Sequence, residues 1–314
     1  MIKPGDEEIS AGAHQLWEEN GRPEDQEDAC WTTEDKQTSD ARLMYIDLVK
    51  RCVLNIPYVD AELNPIQPYG NLRKVILSLF KRANIQLAHL RRGDLERRIA
   101  GHDFSDIAHS MLSFKRLDNI QMCIETIIRE NIAGDLIETG VMRGGAAILM
   151  RAILRAYGAH DRTVWVADSF KGFPPLNLQQ YPADADADPQ WHLRPQTESG
   201  VEHVRRNFKR YDLLDDQVKF LPGWFRDTLP KAPIKQLAVL RLDGDLYEST
   251  MDALVPLYPK VTPGGFVIID DYNLSMCQKA VHDYRKRMGI NEEIIPIDDA
   301  GAYWRKTVEA SPKK

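Results

Sequence analysis

Residues 135–158 read DLIETGVMRGGAAILMRAILRAYG, and this stretch decides the fold. DLIET is a short apolar strand that stops at Gly140, and the run after Gly144-Gly145 has the apolar texture of a helix. The same texture returns in TVWVADS (163–169), QVKFLPG (217–223), QLAVLRLDGD (236–245) and GGFVIIDDY (264–272), each short and bounded by Gly, Pro or Asp. A helix around 274–288 and the late strands EEIIPID (292–298) and AYWRK (302–306) complete the series. Continuous apolar strands alternating with helices predict an α/β fold, a parallel sheet covered on both faces. In such sheets the ligand sits at the carboxyl ends of the strands.

Working outward, the charge divides the chain. The 314 residues carry a formal charge of −6, yet residues 1–40 hold 12 acidic and 3 basic side chains, so the remainder is close to +3. Residues 1–40 therefore read as an acidic segment, with Ile9, Ala13, Leu16 and Trp17 on one face of a short helix and Gly21-Arg22-Pro23 stopping it. Its stretch LWEENGRPEDQEDACW (16–31) resembles a small N-terminal bacterial module of unknown function. Residues 41–131 read as a helical cap and oligomerisation region. It opens with MYIDLVKRCVLNIPYVD (44–60), continues through a basic helical stretch over 71–98, and ends in two helices within 105–131. Residues 132–308 form the sheet domain.

Composition excludes several classes. With 43% hydrophobic and 28% charged residues the chain is of ordinary globular type. A mildly negative total disfavours nucleic-acid binding by bulk charge, and no apolar run approaches the ~18–20 residues that span a bilayer. Cys30, Cys52, Cys123 and Cys277 stand far apart without C-x-x-C spacing, and no targeting signal is visible at the start, so a cytoplasmic protein is expected.

At the strand ends, Glu138, Gly140, Gly144 and Gly145 make a turn through which a backbone can approach a ligand. The G-x-G-x-x-G fingerprint is absent, which disfavours a nicotinamide dehydrogenase. Glu138 would repel a pyrophosphate but welcome an ammonium. Asp168, 30 residues on, stands where α/β nucleoside binders place a carboxylate on the ribose, the lesser alternative being a cap on the next helix. Trp224 and Phe225, past the third strand, suit an adenine or the core. The strongest signal is four aspartates at two adjacent strand ends: Asp243 and Asp245, Asp270 and Asp271. Capping would account for one or two. Four together would repel strongly, and a divalent cation relieves that, Mg²⁺ first, with Ca²⁺ or Mn²⁺ as competitors. The polar insert NLQQYPADADADPQWHLRPQTESG (177–200) reads as a surface loop of the lid type, with His192, like His203, a surface residue.

AHSMLSFKRLDNIQMCIE (108–125), DLIETGVMRGGAAILMRAILRAYG, RTVWVADSFKGFP (162–174), LRLDGDLYESTMDAL (240–254), GGFVIIDDY and AVHDYRKRMGI (280–290) together closely resemble the macrocin O-methyltransferase family, from about Arg42 to Arg305. The resemblance implies a class I S-adenosylmethionine-dependent fold with seven strands, the last antiparallel. It implies a Mg²⁺-dependent methylation of a hydroxyl in a vicinal diol, on a sugar of a glycosylated natural product. A cofactor site formed by Met111, Glu138, Thr139, Gly140, Asp168, Ser169, Gly223, Trp224 and Asp243 follows from it. So do Mg²⁺ ligands Asp243, Asp270 and Asp271, and Asp245 as general base. Met142 stands where the family commonly has an aromatic. The partners expected are a small-molecule acceptor and a second copy of the chain, with a catechol-type acceptor or a non-catalytic cofactor-binding role as the alternatives.

Overall fold

The computed structural model describes residues 33–66, 71–190 and 200–307. The expected helix through Ile9 and Trp17, Cys30 and His192 lie outside the described residues. The chain divides into two compact units, Met1–Leu43 and Met44–Lys314. Of the first, residues 33–43 are described and helical; the second carries the sheet.

Helix α1 (Thr33–Val53) buries Ile46, Val49 and Val53 along one face. Strand β1 (Glu62–Pro65) then pairs antiparallel with β2 (Ala88–Arg91), with α2 (Asn71–Arg82) between them and the short α3 (Leu95–Ile99) after. The basic stretch 71–98 is thus two helices separated by a strand. The physical reason is a buried acid: Glu62 is fully buried, and Arg91 and Arg98 turn inward to meet it at 2.7 and 2.9 Å. Helix α4 (Phe114–Arg129) is the single helix where two were expected; Ser113 caps it by accepting from the Arg116 N–H at 3.1 Å. The preceding residues stay irregular because the N–H groups of His109 and Ser110 both donate to the Val53 carbonyl, at 2.8 and 2.9 Å.

The main sheet follows: β3 (Asp135–Thr139), helix α5 (Gly145–Ala156), β4 (Val164–Asp168), α6 (Val201–Arg210), β5 (Val218–Pro222), the one-turn α7 (Phe225–Thr228), β6 (Leu237–Leu242), α8 (Tyr247–Leu257), β7 (Val261–Ile269), α9 (Ser275–Met288), β8 (Ile295–Pro296) and β9 (Ala302–Arg305). The strand order is β5-β4-β3-β6-β7-β9-β8, with β5 to β7 parallel and β9 antiparallel to β7 and β8. Alternate residues of β3 serve opposite layers. Leu136 packs with Ile46, Ile124 and Leu149 on one face, while Ile137 packs with Leu254, Val281 and Trp304 on the other. Every residue from Gly145 to Leu154 is buried, so α5 is a core helix, and its one charge in that run, Arg151, pairs with Asp215 at 2.5 Å. No helix among the described residues is long and apolar enough to cross a membrane.

Candidate active site

A cleft of about 560 Å³ opens at the carboxyl ends of β3, β4, β6 and β7. Glycine sets its floor. Gly140 has φ +86°, and a Cβ there would fall 1.6 Å from the Asp243 carbonyl oxygen, so β3 and β6 can approach only through it. Gly145 opens α5 beside the irregular wall: its N–H donates to the His109 carbonyl at 2.9 Å, and a Cβ would lie 2.5 Å from that oxygen. Three non-glycine residues at the strand ends, Met142, Phe170 and Asp245, also hold positive φ (49°, 54° and 56°). Such conformations persist only where the surroundings over-determine them.

Met111, Glu138, Gly140, Asp168, Ser169, Trp224 and Asp243 line the cleft. Thr139 and Gly223 do not. Thr139 is buried inside the sheet, its hydroxyl toward the Arg241 carbonyl, and Gly223 is a turn residue whose N–H donates to the Asp168 carbonyl at 2.9 Å. Two expected ligand-facing carboxylates also brace the scaffold. Glu138 accepts from the Ala147 N–H in the first turn of α5 (2.8 Å) and from Arg241 (2.6 Å). Asp168 accepts from the N–H groups of Val141, Met142 and Phe170 at 2.7, 3.3 and 2.6 Å, tying the glycine turn to β4.

The aspartates at the β6 and β7 ends divide in an unexpected way. Asp270 faces two guanidiniums, Arg116 at 2.7 Å and Arg241 at 2.6 Å, and Arg241 also reaches Asp243 at 2.9 Å. Arg116 continues to Asp298 at 3.0 Å, so acid and base alternate from the β8–β9 loop to β3. Asp243, Asp245 and Asp271 instead bring carboxylate oxygens within 4.8 Å of one another. Among the described residues no side-chain cation pairs with Asp245 or Asp271; the Asp245 N–H donates to Asp271 at 3.2 Å. Burial, then the neighbouring charges of Asp243 and Asp270, pushes the Asp245 carboxyl up to about 8. Burial, then Asp245, Asp243 and Asp270, also holds Asp271 well above the usual carboxylate range. Neither pair caps a helix: Leu246 and Leu274 occupy the cap positions of α8 and α9 and make no side-chain cap. The carboxylates are left facing the cleft and one another. Hard oxygen donors at this spacing fit a divalent cation of the Mg²⁺ type.

The sequence reading passed over Arg241 and Arg116. A guanidinium inside the apolar strand LAVLRL must be paired where it is buried, and that is the signal that would have found Arg241. Arg116 sits among charges on an amphipathic helix and gives no such signal.

Comparison with known proteins bears directly on this site. The family described as Macrocin-O-methyltransferase (TylF) matches residues 42–306. An 8-demethyl-8-(2,3-dimethoxy-alpha-L-rhamnosyl)-tetracenomycin-C 4'-O-methyltransferase from Streptomyces olivaceus is 48% identical over 279 residues, 87% of this chain and 97% of that one. A mycinamicin III 3''-O-methyltransferase from Micromonospora griseorubida is 47% identical over 265 residues, 84% of this chain and 96% of that one. The solved O-methyltransferase NovP superimposes with a TM-score of 0.73 at 46% identity, covering 85% of this chain and all (100%) of that one. The seven-stranded sheet is that of class I S-adenosylmethionine-dependent enzymes, and the chain belongs to the macrocin O-methyltransferase family.

Proposed function

We propose that this S-adenosylmethionine-dependent O-methyltransferase methylates one hydroxyl of a vicinal diol on a sugar of a glycosylated natural product, with Mg²⁺ held at the ends of β6 and β7. The carrying observation is the triad of mutually repelling carboxylates, Asp243, Asp245 and Asp271, two of which pair with no side-chain cation among the described residues. The relatives' names support the sugar acceptor, one of them a rhamnosyl tetracenomycin.

Of the residues that line the cleft, Asp168 would hold the ribose of S-adenosylmethionine, Trp224 its adenine, and Gly140 and Asp243 its methionine end. Met111 and Leu112 give the cleft an apolar wall that would shield the sulfonium from water. The ion supplies Lewis-acid polarisation of the acceptor hydroxyls, which are protonated at neutral pH. Asp245 takes the acceptor's proton on a carboxylate oxygen, and the held geometry brings oxygen and methyl carbon into line. Asp243 and Asp271 serve the ion under both assignments of its third ligand. The family resemblance favours Asp270 for that place, and the closeness of its carboxylate to those of Asp243 and Asp271 favours Asp245. Calorimetric Mg²⁺ affinity of Asp245→Asn and Asp270→Asn decides between them: the base role for Asp245 requires that Asp245→Asn still bind the ion.

The test of the whole reading is methyl transfer from S-adenosylmethionine to desmethyl glycosides by EDTA-treated protein, with and without restored Mg²⁺. Full turnover without the ion would sink it. The exposed apolar residues of α2, Val75, Ile76, Leu79 and Phe80, support a homo-oligomer closed over that helix. Light scattering of the chain against Leu79→Glu tests it, a monomeric wild type being the adverse result. The free thiols Cys52, Cys123 and Cys277 suit a reducing cytoplasm.

A further inference from the structure

The acidic insert after β4 reads as solvated low-complexity sequence, yet its residues 182–187 are tied down. Pro182–Asp186 form a 3₁₀ turn, and inside it Asp184 is 1% exposed. Its two carboxylate oxygens accept from the N–H groups of Tyr247 and Glu248, at 2.6 and 3.3 Å, the first two residues of α8. Two residues on, Asp186 accepts from the Ser275 hydroxyl at 2.8 Å, at the first residue of α9. Ala187 is buried with Leu246 and Met276 in a small apolar cluster apart from the main core. One turn thus touches the start of both helices that leave the aspartate-bearing strands.

Those helix starts lack caps of their own, since Leu246 and Leu274 hold the cap positions without side-chain bonds. The first turn of a helix leaves N–H groups to be satisfied, and here an acid from a distant segment satisfies two of them. Leu246 directly follows Asp245, whose φ of +56° must be imposed by what surrounds it. Asp271 lies four residues before Ser275. The two loops that carry the carboxylates are therefore pinned at their downstream ends by a single short segment.

We propose that Asp184 is a positioning residue for methyl transfer: through the first turn of α8 it fixes the Asp243–Asp245 loop, and with Asp186 on α9 it sets the spacing between Asp245 and Asp271. The inference rests on the reading of these aspartates as the ion and base cluster. Asp184 does not line the cleft; it acts through the Tyr247 and Glu248 amides.

The experiment uses the full chain carrying Asp184→Ala, Asp184→Asn or Asp186→Ala. It reads kcat and KM for a desmethyl glycoside, Mg²⁺ affinity by calorimetry, affinity for S-adenosylhomocysteine, and the unfolding midpoint. Asp184→Ala should lower kcat and weaken Mg²⁺ binding by about tenfold each, the scale of a lost helix cap, while S-adenosylhomocysteine affinity stays within about twofold. Asp184→Asn keeps an oxygen toward the Tyr247 amide and should recover most of both. Asp186→Ala, which loses one exposed hydroxyl contact, should show a smaller loss, about threefold, and remains informative if Asp184→Ala does not fold. A lower unfolding midpoint with wild-type kcat and Mg²⁺ affinity makes Asp184 a cap only and overturns the proposal. If wild type itself ignores Mg²⁺, the ion reading fails separately, and kcat alone then judges Asp184: equal values for the alanine, asparagine and wild-type proteins overturn it.

Discussion

Two acidic clusters in this chain can be set side by side. Around β1 and β2, Glu62 is buried with Arg98 at 2.9 Å, Arg91 at 2.7 Å, and Asn55 and Ser105 at 2.9 and 2.8 Å, while Asp103 meets Arg98 at 2.8 Å and pairs with Arg91. At the ends of β6 and β7, Asp243 and Asp270, with Glu138 of β3, share the Arg241 guanidinium, Arg116 adds a second to Asp270, and Asp245 and Asp271 pair with neither. Their responses to burial are opposite. Burial pushes Glu62 up, but the bonds from Arg98, Asn55, Ser105 and Arg91 outweigh it, and its carboxyl ends below the usual range. Among the described residues no side-chain cation pairs with Asp245 or Asp271, and both end above it. A cluster whose charges are completed from within the chain is scaffold; one left incomplete awaits something from outside.

The sharpest way to break that contrast is to neutralise one acid in each. Asp271→Asn should lower kcat by about a thousandfold, since ion and base geometry go together. Its stability in EDTA should be unchanged or higher, because a repelling charge has gone. Added Mg²⁺ should raise the melting temperature of wild type and leave Asp271→Asn where it was. Glu62→Gln should do the reverse. It strands Arg98 beside a neutral partner and should cost about 3–5 kcal/mol in urea unfolding, without a change in Mg²⁺ affinity. Equal stability losses for the two variants would erase the distinction. The pH signs differ as well. Glu62, with its folded pKa below its unfolded one, contributes stability that is present above the unfolded value and lost as acid protonates it.

The same contrast explains what could be read from the sequence. The strands were legible because a buried parallel strand is written as a continuous apolar run, and the aspartates because they interrupt such runs at their ends. Glu138 and Asp168 were legible as strand-end acids, but not their bonds to the Ala147, Val141 and Met142 amides, which depend on how the glycine turn folds. The Glu62 cluster was invisible. Its members lie at 55, 62, 91, 98, 103 and 105, in segments whose periodicity suggests solvated helix, and only the β1–β2 pairing turns the arginines inward. Asp184 was hidden by its neighbours, since nothing in PADADAD distinguishes the one acid that is buried.

A smaller effect comes from the cleft wall that joins the two regions. His109 lines the cleft, and its Nδ1 lies 2.8 Å from the Tyr211 hydroxyl. Burial, then the charges of Arg210, Arg143 and His203, brings its pKa down from 6.5 to about 4. It is neutral in the folded protein at pH values where the unfolded chain already binds a proton. Stability should therefore fall as pH drops from about 6.5 towards 4, by about 3 kcal/mol at most, and His109→Gln should flatten that part of the curve. A slope unchanged in the variant would remove His109 as its source.

The smallest effect separates partial completion from none. Asp252 lines the cleft on α8; burial and then Glu248 raise its pKa to about 6, against the opposing charge of Arg226, which is itself held by Glu248 at 2.7 Å. One guanidinium serves two acids, and Glu248 has it. Here the folded pKa exceeds the unfolded one, so Asp252 costs stability above pH 6, and that cost is relieved as the pH falls from 6 towards 4. Asp252→Asn should then stabilise the protein at pH 7 by about 1 kcal/mol and make no difference near pH 4. Urea midpoints of the two proteins across that range are the measurement. A destabilised variant at pH 7 would mean that Arg226 completes both acids, placing this rim with the scaffold and not with the site.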